Sequence, residues 1–92
     1  MFNGKKSQEL IKAMQSACDA VKTLSAAGMT VKSVSFNGSK PVIRVEHCGY
    51  CDGLIHKGRA VFLEFGCGVV GRYRQGQFYE GGCKVVWSES LH

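Results

Sequence analysis

The stretch SQELIKAMQSACDAVKTLSAAG, residues 7–28, carries the clearest periodic pattern in the chain. Its apolar residues recur at spacings of three and four, as on one face of a helix. They are Leu10, Ile11, Met14, Ala17, Cys18, Val21 and Leu24. Ser7 is a candidate N-cap, and Gly28 is typical of a helix end. We therefore expect an amphipathic helix over residues 7–27, with this stripe, including Cys18, packed in the core.

Short β-rich runs separated by glycine-containing turns follow the helix. They cover residues 30–36, 42–46, 60–65, 69–74 and 83–87. The turn Asn37-Gly38-Ser39-Lys40 is typical of a hairpin, and Pro41 after it suits the start of a strand at a sheet edge. The pattern predicts an α+β fold, in which one N-terminal amphipathic helix packs on an antiparallel sheet of four to five strands.

Length and composition set the class of protein. Ninety-two residues with 45% hydrophobic content are expected to form a single globular domain over residues 1–92. Twelve Lys and Arg against seven Asp and Glu leave a net charge of +5, which favours an acidic partner. No secretory signal or membrane-spanning run is recognisable, so we expect a cytoplasmic protein whose five cysteines stay reduced.

The segment HCGYCDGLIH, residues 47–56, raises the question of a metal. A Cys-x-x-Cys pair is the usual half of a structural zinc site, which needs two further ligands. The candidates for these are His47, His56, Cys67 and Cys83, and they contain no second close pair. The favoured interpretation is a segment that connects strands and binds no metal or other cofactor. A structural zinc domain with Cys48 and Cys51 as ligands remains an alternative.

Two further motifs match known sites only in their letters. A redox-active Cys48-Gly49-Tyr50-Cys51 needs a helix after its first cysteine, but Gly53 and Gly58 interrupt the segment that follows. Residues 66–71 match the G-x-G-x-x-G phosphate loop, but the glycine-rich, β-like sequence after them does not predict the required helix. We expect these glycines to serve a turn or bulge between strands.

Nucleic-acid binding is a further alternative. Four basic residues lie near Tyr73 and other aromatic residues, in an arrangement that could hold phosphates and stack bases. They are Lys57, Arg59, Arg72 and Arg74. A solvated basic face above core aromatics explains the same pattern. No catalytic triad or carboxylate pair can be assembled from the remaining polar residues, so enzymatic activity is not expected.

Three segments read together resemble small accessory proteins encoded by lambda-like phages and prophages of enteric bacteria. The segments are residues 40–46, 48–51 and 82–89, and the run AAGMTVKSV, residues 26–34, precedes them. The resemblance implies a short protein that acts inside a bacterial host, and it assigns no activity or site residues. We therefore expect a non-enzymatic protein that binds a host or phage protein.

Overall fold

A computed structural model describes residues 4–37, 40–68 and 71–91, with side chains for residues 7–36, 40–63 and 71–90. Two helices and five strands follow one another along the chain. They are α1 (Gly4–Ala26), β1 (Val31–Asn37), β2 (Lys40–Val45), α2 (Gly49–His56), β3 (Val61–Gly68), β4 (Gly71–Glu80) and β5 (Cys83–Leu91). The predicted α+β class, with an N-terminal helix on a five-stranded sheet, is confirmed.

The strands form one sheet in the order β1-β2-β5-β4-β3. The pairs β1–β2, β3–β4 and β4–β5 are antiparallel, whereas β2 and β5 run parallel. The expectation of a purely antiparallel sheet is therefore wrong at its centre. Between β2 and β5 the chain forms α2, β3 and β4. Two neighbouring parallel strands require a long connection of this kind.

The expectation that Pro41 lies in an edge strand is also wrong. It lies in β2, which has neighbours on both sides and is not an edge strand. Pro41 is compatible with this place because β2 pairs with β5 only through residues 42–44. The missing N–H of Pro41 therefore removes no hydrogen bond from the parallel ladder.

The hydrophobic core lies on one face of the sheet. Cross-strand partners share a face, and the register places Ile43 beside Val85 and Val85 beside Phe78. Both helices contribute to this core, through Leu24 from α1 and Leu54 from α2. Trp87 is fully buried at its centre and lies beside the rings of Phe62 and Phe78.

Helix α1 is longer than predicted at its N-terminus, and the sheet covers only its second half. Ser7 lies inside the helix and is not its N-cap. Ala17, Ala20 and Leu24 are buried, and α1 contacts β1, β2 and β5. The Cβ of Ala20 lies against the turn between β4 and β5, near Gly81. The predicted stripe therefore has the right period, but only its C-terminal half is covered.

Four predicted core positions in α1 are wrong. Leu10, Ile11 and Met14 are exposed, because the fold covers the described part of α1 only from Ala17 onward. Cys18 is also exposed. It stands one residue after buried Ala17, a rotation of about 100° that turns its side chain away from the sheet.

The segment 47–56 is not a plain connection, since most of it forms α2. Cys48 is the N-cap with extended backbone angles, Gly53 lies within the helix, and Gly58 follows it with a φ of 76°. Cys51 and Leu54 stand three residues apart and are both buried. This packing outweighs the cost of about 1 kcal/mol that a glycine imposes on a helix interior.

Residues 66–68 end β3 and Gly71 begins β4, and the two strands pair antiparallel with Gly68 opposite Gly71. The structure continues as strand after Gly71 and not as a helix. The phosphate-loop interpretation therefore fails on the backbone, as predicted. Val69 and Val70 lie outside the described residues.

Candidate functional site

The first half of α1 presents an exposed apolar surface, which we call the helix patch: Leu10, Ile11 and Met14. The exposed fractions of these side chains are 46%, 53% and 53%. Leu10 precedes Ala17 by two helical turns, so the patch continues the stripe that packs on the sheet. Scattered apolar side chains are normal on a protein surface, but a contiguous group on one element is typical of an interaction site.

The sheet face opposite the helices carries polar and basic side chains, and we call it the open face. Its central rows follow from the register: Arg44 pairs with Val86, which pairs with Gln77, and Lys84 pairs with Tyr79. Val86 and Gln77 are buried, whereas Arg44 and Tyr79 are exposed. The ammonium group of Lys40 lies 5.2 Å from the centre of the Tyr79 ring. The charged groups that the register places on this face include Lys40, Arg44 and Lys84.

The two cysteines of α2 form a close pair of thiols. Their sulfur atoms lie 3.9 Å apart, and the Cys51 N–H donates a hydrogen bond of 3.0 Å to the Cys48 carbonyl. Cys48 is partly exposed, whereas Cys51 is fully buried. Burial raises the pKa of Cys51 to about 12, and the charges of Cys48 and Asp52 act in the same direction. The two thiols therefore occupy different environments.

The expected further zinc ligands do not join this pair. Cys83 lies at the other end of β5, where its thiol contacts the Gly81 carbonyl, and burial raises its pKa. His47 contacts carboxylates instead, and His56 stands at the far end of α2. The side chain of Cys67 lies outside the described set. Within that set, neither thiol belongs to a group of three or more metal-binding side chains.

A cluster of ionisable side chains connects α2 to the sheet. His47 Nε2 lies 2.7 Å from Asp52 Oδ1 and 2.8 Å from Glu89 Oε2. Arg74 pairs with the other oxygen of Glu89, and its guanidinium group stacks 3.9 Å from the centre of the Phe62 ring. His47, Asp52 and Glu89 offer one nitrogen and two oxygens that could hold a cation. Because His47 and Arg74 already face these carboxylates, the arrangement is best described as an ion-pair network.

The residues predicted to bind nucleic acid do not all lie on one face of the sheet. Lys57 ends α2, Arg59 follows it, and both are exposed. Arg72 and Arg74 project to the helix-covered face of β4, while Tyr73 between them projects to the open face. The open-face residues Lys40, Arg44, Lys84 and Tyr79 were not in the predicted set. The alternation of residues along each strand indicated that these side chains share a face with their neighbours in the same strand. Their proximity across strands depends on the pairing of β2 with β5, which the sequence pattern does not predict.

Comparisons with known proteins place the chain in a family. A family model described as "Uncharacterised protein" matches residues 3–90. The chain belongs to this family. Neither the curated proteins nor the solved structures contain a match to the chain. In the described part of the chain, neither helix has the length and hydrophobicity of a membrane-spanning helix.

Proposed function

We propose that this protein is a non-enzymatic binding protein that engages a partner protein through the helix patch. The observation that supports the proposal is the exposure of three large apolar side chains on the uncovered half of α1. Burying such side chains in an interface contributes about 1.5–3 kcal/mol each, because apolar surface leaves water. A phage or prophage origin and action in the bacterial cytoplasm belong to the same proposal, and they rest on the resemblance of residues 40–46, 48–51 and 82–89.

The geometry of the patch indicates what kind of partner it fits. Leu10, Ile11 and Met14 stand at the i, i+1 and i+4 positions of a helix. A helix of this kind binds by laying its apolar face into a hydrophobic groove on the partner. The net charge of +5 favours a groove with an acidic rim.

The test compares matched variants in an affinity capture from nuclease-treated bacterial lysate. Ile11→Gln with Met14→Gln removes apolar surface at exposed positions, and Lys22→Gln is the control on an exposed polar position of the same helix. The captured protein is identified, purified and titrated against each variant. We expect the double variant to weaken binding by about a hundredfold, or roughly 3 kcal/mol, while Lys22→Gln binds as the wild type does. Equal affinity of all three proteins would exclude the patch as the binding surface.

The open face favours a second candidate, a nucleic-acid-binding module. Lys40, Arg44 and Lys84 could contact phosphates, and exposed Tyr79 offers a ring on which a base could stack. Arg44→Gln and Lys84→Gln should each reduce the slope of log affinity against log salt by about one. Lys57→Gln serves as the control, since Lys57 lies outside the open face. Failure to retard any nucleic acid at low salt would eliminate this candidate.

A further inference from the structure

The thiol pair at the start of α2 has features beyond those that structural packing requires. A buried cysteine in a core needs no second thiol beside it, yet the two sulfur atoms lie within 3.9 Å. One thiol is partly exposed at the N-cap of a helix, and the other is enclosed one turn further along. The objection that glycines break this segment does not apply, because Gly53 lies inside α2.

We propose that Cys48 and Cys51 form a reversible dithiol–disulfide site that exchanges with low-molecular-weight disulfides. The sulfurs need to approach from 3.9 Å to about 2.0 Å, the length of a disulfide bond. The hydrogen bond from the Cys51 N–H to the Cys48 carbonyl keeps the two residues in a single tight turn. Side-chain rotation can therefore close the bond without separating α2 from the sheet.

The exposure of the two thiols assigns their roles. Cys48 is the residue that an incoming disulfide can reach, so its thiolate attacks one sulfur of the small disulfide. A mixed disulfide forms, and the first small thiolate leaves and takes up a proton. The Cys51 sulfur then attacks the Cys48 sulfur, and the Cys51 proton passes to the second small thiolate as that group leaves. The two cysteines give up two electrons and two protons, and the small disulfide is reduced to two thiols.

The burial of Cys51 is consistent with its role as the thiol that attacks the mixed disulfide on Cys48. Its raised pKa, about 12, keeps it a protonated thiol in the reduced protein, so it does not compete with Cys48 for the incoming disulfide. The contacts of His47 with Asp52 in α2 and with Glu89 in β5 connect α2 to β5. These contacts hold the segment in place during exchange.

The chain permits a direct test by peptide mapping. Cleavage after Arg44 and Lys57 releases residues 45–57, which contain Cys48 and Cys51 and no other cysteine. Native protein is incubated with mixtures of reduced and oxidised glutathione, quenched with acid, alkylated and digested. The masses of the peptides are then measured by mass spectrometry. Cys18 is exposed and lies alone in residues 13–22, so its glutathione adduct shows that the oxidant has acted.

We expect peptide 45–57 to become two hydrogens lighter and to resist alkylation, and we expect dithiothreitol to reverse both changes. Oxidation should require about tenfold less oxidised glutathione in the folded protein than in urea, because the fold holds the sulfurs together. A doubly alkylated peptide in samples where Cys18 is modified would overturn the proposal. The proposal would also be overturned if the folded and the unfolded protein required the same amount of oxidised glutathione for oxidation.

Two variants test the assigned roles. Cys51→Ala should accumulate a glutathione adduct on Cys48, because no second thiol can displace it. Cys48→Ala should leave Cys51 unmodified in the folded protein, because Cys51 is fully buried. The opposite pattern would overturn the assignment. If either variant fails to fold, the mapping of the wild-type protein still decides the proposal.

Discussion

The indole of Trp87 fits into the core because the residue opposite it on β4 is Gly76. A Cβ atom added to Gly76 would overlap the six-membered ring of Trp87. Gly76 has no positive φ, so the requirement for glycine comes from the space that the ring occupies. The sequence shows glycine in a β-rich run but not its partner, because the partner depends on the register of two strands.

Gly76→Ala should therefore lower the free energy of unfolding by about 1–3 kcal/mol, the usual range for overpacking a core. Gly53→Ala is the matched control, since a Cβ there meets nothing within 4 Å and the residue lies inside a helix. We expect that change to stabilise by about 0.5–1 kcal/mol. Urea unfolding of both variants measures the two effects, and a Gly76→Ala protein as stable as the wild type would mean that the Trp87 ring is placed differently.

Burial of the Cys51 thiol makes stability depend on pH in the alkaline range. The pKa of Cys51 is 9.0 unfolded and about 12 in the fold, so the folded state holds the proton more tightly. This contribution to stability is complete below pH 9.0 and is lost as the pH rises towards 12. Over that interval the loss approaches about 1.4 kcal/mol per pH unit.

The measurement compares the wild-type protein with Cys51→Ala by urea unfolding between pH 8 and pH 11, under reducing conditions. The variant should lose less stability with rising pH, because the buried proton is absent from it. Cys18→Ala controls for an exposed thiol and should follow the wild type. Parallel curves for the wild type and Cys51→Ala would show that the Cys51 thiol is not buried as described.

At the scale of elements, periodicity predicted α1 well but not how much of it is covered. Residues 10–24 have the spacing of one continuous stripe, yet burial begins only at Ala17. Spacing describes the helix alone, whereas coverage depends on strands that follow it in the chain. Helix α2 was not predicted, because its glycines indicated low helix propensity. It forms in the structure because Cys51 and Leu54 pack in the core.

The two halves of α1 should respond differently to the same substitution. Leu24→Asp places an unpaired carboxylate in the core and should cost several kcal/mol, about 3–5, of unfolding free energy. Leu10→Asp puts the same charge on the helix patch, where the side chain is 46% exposed, and should change stability by no more than about 0.5 kcal/mol. Thermal unfolding compares them, and a similar loss in both proteins would contradict the partial coverage of α1.

Helix α2 also carries the prediction about metal. Only two thiols meet at its start among the described side chains, and a closed tetrahedral site needs four ligands. Protein purified without a polyhistidine tag should therefore contain no stoichiometric zinc. About one zinc per chain, lost in Cys51→Ser together with cooperative melting, would restore the structural zinc hypothesis and direct attention to Cys67.

At the scale of the whole molecule, the α+β class followed from one periodic helix and a series of alternating runs. The strand order could not be predicted in the same way, because the parallel pair β2–β5 joins segments that are distant in sequence. That pair brings Arg44 and Lys84 onto one face and places the core on the other. The candidate surfaces of the molecule therefore depend on a contact that local patterns do not encode.

Amide hydrogen exchange of the free protein along α1, at a concentration where it is monomeric, measures how much of the helix the sheet covers. We expect slow exchange in residues 17–26, which pack on the sheet, and clearly faster exchange in residues 7–16, whose apolar face is uncovered. Addition of the partner should slow exchange in residues 7–16. Uniformly slow exchange along the whole helix in the free monomer would contradict the account, because the helix patch would then already be covered.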